Sequence, residues 1–205
     1  MSTFRFLASK HHQQQKYDIY LPKGRTSEST KVFILVHGGG WIEGDKNDMN
    51  AFLPELQRES PDYAIVNINY RLASQGNSPF PMQIDDIKLV IADLKAKKEE
   101  YHISNQYAFI GSSAGAHLSL LSSYEHDTNT EVDMVCSIVG PTNFTDPAYL
   151  NNTDPDLQAL LDLYGENATT AFLEETSPYH QATVLSPPTI LFYGRPAPLI
   201  PTPHS

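Results

Sequence analysis

Apolar and polar positions along this chain follow two periods in turn. Tyr17-Asp18-Ile19-Tyr20-Leu21 alternates and stops at Pro22, which predicts a strand. Val32-Phe33-Ile34-Leu35-Val36 is apolar throughout, the pattern of a strand covered on both faces in a parallel sheet. Residues 63–69, 106–110, 132–139 and 189–193 are short runs rich in β-branched and aromatic residues, and read as strands. The last of them reads as a buried strand stopped by Gly194. Between the strands the period lengthens. Ile84, Ile87, Ile91 and Leu94 fall at helical spacing and predict an amphipathic helix over 82–99. Met49, Phe52, Leu53 and Leu56 place another over 48–59, with Pro54 opposing it. A helix over 154–164 takes Asp154 as its cap and Pro155 in its first turn, and 170–175 reads as a short one. Strands alternating with helices predict an α/β fold with a mostly parallel central sheet flanked by helices. The expectation is a single domain over 1–205, with a loosely ordered start at 1–16 and an irregular, proline-broken tail at 195–205.

Composition narrows the class of function. A chain of 205 residues, 40% hydrophobic and 19% charged, suits one domain with a sizeable core. A net charge of -10 leaves no basic patch to neutralise phosphates, so no nucleic-acid partner is expected. Lys95, Lys97 and Lys98 run into Glu99 and Glu100 and read as a solvated helix face. The one cysteine, Cys136, lies in an apolar run and reads as a buried structural thiol. His11 and His12 sit in a polar segment without further ligands, so they read as a solvated tail and no metal or cofactor is expected. No apolar run approaches the roughly 20 residues of a membrane span, and no secretory signal is visible. The expectation is a cytoplasmic protein with no membrane contact.

Two stretches carry chemistry. Gly111-Ser112-Ser113-Ala114-Gly115 has the form G-x-S-x-G, with a predicted strand before it and a helix start after it. That context makes the pentapeptide a nucleophile elbow, in which a serine on a sharp turn exposes its Oγ. His37-Gly38-Gly39-Gly40-Trp41 follows the apolar strand 32–36. Its consecutive glycines leave backbone N–H groups open to an approaching oxyanion, and losing one such donor costs on the order of 3 kcal/mol in characterised enzymes. A plain glycine loop after a strand and a dinucleotide cradle are the competing readings, and G-x-G-x-x-G is absent for the second.

HGGGW followed by a GSSAG elbow resembles the α/β-hydrolase superfamily, within it the esterase/lipase group. The finer resemblance is to feruloyl- and acetyl-esterase-like proteins, which are close to kynurenine formamidases. Tyr17–Pro22, Gly44-Asp45, Asn69-Tyr70-Arg71-Leu72, Phe80-Pro81 and Asp85-Asp86 also carry it, so it covers about 17–201. The resemblance implies Ser113 as the nucleophile and the N–H groups of Gly39, Gly40 and Ala114 as the oxyanion hole. It implies that His37 braces the glycine loop, that Trp41 anchors that loop by packing, and that His117 packs inside the elbow.

The same resemblance places the acid and the histidine after the serine in chain order. Ala197 stands where the resembled motif carries its acid, His204 lies in the proline-broken tail, and His180 reads as surface. The expectation is therefore a chain lacking the last strand, the catalytic histidine and the closing helix. The implied function is hydrolysis of small acyl or aryl esters by Ser113, impaired by loss of the acid and the histidine. A non-catalytic α/β-hydrolase-fold protein and an amidase or formamidase stand as alternatives. The implied partner is a small-molecule ester, and the oligomeric state stays open.

Overall fold

The computed structural model describes residues 2–7, 14–125, 127, 131–163 and 168–194. Seven strands form one sheet: β1 (Ser2–Leu7), β2 (Lys16–Leu21), β3 (Val32–Val36), β4 (Ala64–Ile68), β5 (Tyr107–Ser112), β6 (Val132–Ile138) and β7 (Thr189–Phe192). Their order is β1-β2-β4-β3-β5-β6-β7. The first two pairings, β1 with β2 and β2 with β4, are antiparallel; β4, β3, β5, β6 and β7 run parallel. The parallel strands force crossover connections, and the helices supply them. These are α1 (Leu53–Glu59), α2 (Met82–Ala96), α3 (Lys98–Tyr101), α4 (Ala114–Glu125), α5 (Pro147–Leu150), α6 (Pro155–Asp162), α7 (Thr170–Glu175) and α8 (Pro178–Gln181).

The alternation within β3 divides the core. Ile34 and Val36 join Val66, Phe109, Ile84, Ile87 and Leu121 on one face, where α2 and α4 pack. Phe33 and Leu35 join Met49, Ile65 and Ile110 on the other, with Phe52 and Leu56 against them. On α2 the buried apolar positions are Ile84, Ile87, Val90 and Leu94, while Ile91 is half-buried. Each such burial contributes roughly 2 kcal/mol of apolar transfer. Residues 114–123 of α4 are buried on all sides, as expected of a helix held between a sheet and other helices.

Several expectations need correction. Ser2–Leu7, expected to be loosely ordered, is a strand paired along its length with β2. The helix expected over 48–59 is a 3-10 helix, Lys46–Phe52, followed by α1. Pro54 has no N–H to continue a helical ladder, so a new helix begins around it. The helix expected over 82–99 ends at Ala96, and α3 turns Tyr101 into the core, where its hydroxyl lies 3.2 Å from that of Tyr17. Lys95 and Lys97 are not simply solvated: they pair with Glu131 and Asp93. Cys136 is half-buried rather than deep. The strand at 189–192 is not a buried one. It is the last in the sheet, and Ile190, Leu191 and Phe192 are about half exposed. His11, His12, Ala197 and His204 lie outside the described residues. No helix of the described residues is long and apolar enough to cross a membrane.

Candidate active site

The two chemical stretches meet because their strands are neighbours. β3 and β5 pair in parallel with Val36 opposite Gly111, so the loop after β3 and the turn after β5 leave the sheet side by side. Ligands of open α/β sheets bind at this end of the strands. Ser113 sits in the turn between β5 and α4 with φ +50, a left-handed conformation that costs an L-residue roughly 1–2 kcal/mol. The turn is held from both sides. Ser113 N–H donates to Ile138 O at 2.8 Å, and Ser113 O accepts from the N–H groups of Ala116 and His117 at 3.0 and 3.1 Å.

Close backbone approach locks the elbow to the glycine loop. A Cβ on Gly115 would lie 2.2 Å from His37 O and 2.3 Å from Val36 O, so only glycine lets α4 start against the end of β3. A Cβ on Gly38 would lie 3.2 Å from Ser113 Cβ, so this glycine touches the serine turn directly. Gly39 and Gly40 have φ +105 and +54, and Trp41 follows at +66. Among the described residues no carbonyl accepts from the N–H of Gly39 or Gly40. Ala114 is the first residue of α4, so its N–H has no acceptor within the helix.

Three side chains brace this arrangement. His37 stacks on Tyr70 with ring centroids 4.2 Å apart, and its Nδ1 lies 2.7 Å from Gly38 O. A carbonyl only accepts, so Nδ1 carries the proton. The Tyr70 hydroxyl donates to His37 O at 2.9 Å. Burial pushes the His37 pKa below the usual range, against the hydrogen bond to Gly38. Trp41 Nε1–H donates to His117 Nδ1 at 3.3 Å, and His117 Nε2–H donates to Thr176 O at 2.8 Å. These two bonds fix one neutral tautomer, and burial lowers the His117 pKa to about 4.

The arrangement therefore brings together Ser113, Gly39, Gly40 and Ala114, and puts His37, Trp41 and His117 around them as braces. His117 has both ring nitrogens engaged, and His37 holds its own loop through Nδ1. Among the described residues no histidine or carboxylate hydrogen-bonds the Ser113 hydroxyl. His180 is exposed and lies 2.8 Å from the Thr145 hydroxyl. Beside Ser113 is a small apolar cavity of about 30 Å³, walled by Gly40, Trp41, Phe144, Tyr149, Leu157 and Leu160. Sequence reasoning missed Gly38, Tyr70 and Leu160. Gly38 and Tyr70 stood within the motifs His37–Trp41 and Asn69–Leu72, but their contacts, like that of Leu160, depend on pairings far apart in the chain.

The comparisons with known proteins agree with this geometry. A family model described as BD-FAE matches residues 17–205. The AB hydrolase superfamily protein C1039.03 of Schizosaccharomyces pombe is 33% identical over 109 residues, 52% of this chain and 31% of that protein. Esterase LipC of Mycobacterium tuberculosis is 25% identical over 200 residues, 88% of this chain and 47% of that protein. The chain thus spans less than half the length of these curated relatives. Among solved structures, a bifunctional GH43-CE protein of Bacteroides eggerthii superimposes with a TM-score of 0.82 at 23% identity. It covers 98% of this chain and 32% of its own, and shows the shared fold. With its mostly parallel sheet flanked by helices, the chain has the α/β-hydrolase fold and belongs to the BD-FAE family.

Proposed function

We propose that this chain carries the nucleophile and oxyanion hole of a serine carboxylester hydrolase acting on small acyl or aryl esters. The observation that carries the reading is Ser113 at φ +50 between β5 and α4, pressed against a glycine loop with open N–H groups. Residues held in left-handed turns cluster at functional sites, because nothing in folding alone favours them. In the reaction Ser113 Oγ attacks the ester carbonyl, and its proton passes to a base. The negative charge that develops on the carbonyl oxygen is met by the N–H groups of Gly39, Gly40 and Ala114. Collapse of the intermediate expels the alcohol and leaves an acyl-serine, which water then hydrolyses.

Removing the histidine of a serine triad costs roughly 10⁶-fold in kcat, so this reading requires a base that takes the Ser113 proton. A non-catalytic protein on this fold is the alternative that the experiment separates. The test is incubation with p-nitrophenyl acetate and, separately, with a fluorophosphonate probe, each beside a Ser113→Ala variant. Ser113-dependent ester cleavage or labelling supports the hydrolase. Identical behaviour of both proteins in both assays supports the non-catalytic reading.

A further inference from the structure

Residues 69–73, which carry the chain away from β4, hold the glycine loop at three separate places. Tyr70 holds its start, through the hydroxyl that donates to His37 O at 2.9 Å. Ala73 N–H donates to Trp41 O at 2.9 Å and holds its middle. Asn69 holds its far end with both atoms of one amide head. Its Oδ1 accepts from Lys46 N–H at 2.5 Å, and its Nδ2 donates to Asp45 Oδ2 at 2.8 Å. A backbone donor on one side and a carboxylate on the other leave the amide one way to point. Asp45 Oδ1 accepts from Asn47 N–H at 2.9 Å, so the same carboxylate caps the 3-10 helix and bonds Asn69.

What Asn69 grips leads directly into the support of the oxyanion loop. Gly44, with φ +100, is packed so closely that a Cβ there would lie 2.6 Å from Gly38 O and 2.6 Å from His37 Nδ1. A Cβ on Gly39 would lie 2.1 Å from Glu43 O. Gly39 O accepts from the N–H groups of Ile42 and Glu43 at 3.1 and 3.0 Å. Residues 42–44 are thus the floor on which Gly38 and Gly39 rest, and the chain leaves that floor through Asp45. Other restraints act further along or more loosely. Asn67 Nδ2 donates to Lys46 O at 2.7 Å, one peptide beyond, and the Lys46 ammonium reaches Asp18 on a flexible stem. We propose that Asn69 is a positioning residue of the oxyanion loop. By fixing Asp45 and Lys46 it holds the floor, and with it keeps the N–H groups of Gly39 and Gly40 in place for the developing charge. The inference rests on Ser113 being the nucleophile and on this loop being its oxyanion hole, and adds a residue that acts through Asp45 and Lys46.

The test compares wild type with Asn69→Leu, which keeps the size and loses both hydrogen bonds, and with Asn69→Ala; Ser113→Ala is the blank. Each is treated with a fluorophosphonate. Ser113 Oγ bonds to phosphorus as fluoride leaves, the hydroxyl proton passes to a base, and the phosphoryl oxygen takes the oxyanion position. Intact mass gives the limiting rate of labelling and the half-saturating concentration. Trp41 fluorescence in urea gives the folded fraction. Amide hydrogen exchange of Ile42 and Glu43, read by NMR, reports on the floor without any reaction. In both variants the limiting rate should fall at least about ten-fold, since a misplacement of about 1 Å can cost about 100-fold. The half-saturating concentration should stay within about two-fold, the split expected when only the transition state loses stabilisation. Exchange at Ile42 and Glu43 should be about ten-fold faster than in wild type. Unchanged exchange, or a limiting rate that falls only in proportion to the folded fraction, overturns the positioning role and leaves the nucleophile standing. Labelling that is absent from wild type, or equal in Ser113→Ala, overturns the nucleophile and the positioning role together. Asn69→Ala decides the matter if Asn69→Leu folds poorly.

Discussion

His117 spends both ring nitrogens on fixed partners, accepting from Trp41 and donating to Thr176 O. A second proton would fall on Nδ1, where the Trp41 N–H already points. Acid should therefore destabilise the fold through this residue. Its pKa in the folded protein is about 4, lowered by burial from 6.5. Above pH 6.5 neither the folded nor the unfolded chain protonates it, and it adds no pH dependence. Below 6.5 the unfolded chain takes up a proton that the folded chain refuses, so stability falls with pH until about pH 4, where the folded protein protonates as well. At 1.36 kcal/mol per pKa unit the full loss is about 3 kcal/mol, of which roughly 2 kcal/mol falls between pH 7 and pH 5. Against a total stability of about 5–15 kcal/mol this is a large share. The assay is urea unfolding at pH 7 and pH 5, followed by the fluorescence of Trp41, the only tryptophan in the chain. The comparison is His117→Gln, which keeps one donor and one acceptor but does not titrate. His37, whose pKa burial also lowers, titrates in both proteins and cancels in the difference. Wild type should lose roughly 2 kcal/mol more than His117→Gln over this interval. Equal losses in the two proteins would refute the reasoning.

Three further substitutions probe the supports of the site. Lys46 Nζ lies 2.8 Å from Asp18 Oδ2 with both side chains buried, so Lys46→Met strips a buried carboxylate of its cation. The expected cost is about 3 kcal/mol, a fall in Tm of roughly 10 °C by calorimetry; a fall under about 2 °C would sink the claim. Gly115→Ala puts a methyl into the carbonyls of Val36 and His37, and should cost about 3 kcal/mol in urea unfolding while shifting the Trp41 emission. Stability within about 1 kcal/mol of wild type would mean that α4 can move away from β3. Ser113→Gly should raise stability by about 1 kcal/mol, because glycine relieves the left-handed strain; a loss of stability would contradict the strain assignment.

Much of this was legible in the sequence where local pattern and packing agree. The apolar run Val32–Val36 read as a strand covered on both faces because the parallel sheet requires it, and all five residues are buried. Asp154 and Pro155 announced the start of α6 by capping chemistry that acts within one turn. The strand before Gly111–Gly115 and the helix after it were readable from local pattern, and the approach of that turn to the glycine loop followed from the pairing of β3 with β5. What was not legible depends on distant chain. The apolar residues of β7 were read as buried because composition does not tell a central strand from an edge strand. The break after Ala96 comes from the tertiary pull on Tyr101, which meets Tyr17 far away in sequence. Leu160 looked like any leucine on an amphipathic helix, and became a pocket wall only when α6 closed over Gly40.

Strain and contact together explain why this corner of the fold reads as a site. Ser113, Gly39, Gly40 and Trp41 all have left-handed backbone, and they occupy two turns that touch. A chain selected for stability alone has no reason to keep serine where glycine is less strained, nor tryptophan in the same region one residue after Gly40. The strain persists because the surroundings over-determine it. The Ile138 carbonyl takes the Ser113 N–H, α4 begins without slack against β3, and Trp41 is held through its O by Ala73 N–H and Gln83 Nε2 and through its indole by His117. Most of these restraints are main-chain or buried, so on the proposed reading they keep the oxyanion donors and the serine in register without substrate. Electrostatic stabilisation of an oxyanion depends on such preorganisation, because donors already aimed cost no reorganisation when charge appears. The elbow and the loop are thus one packing unit, and a substitution that loosens either should be felt in both.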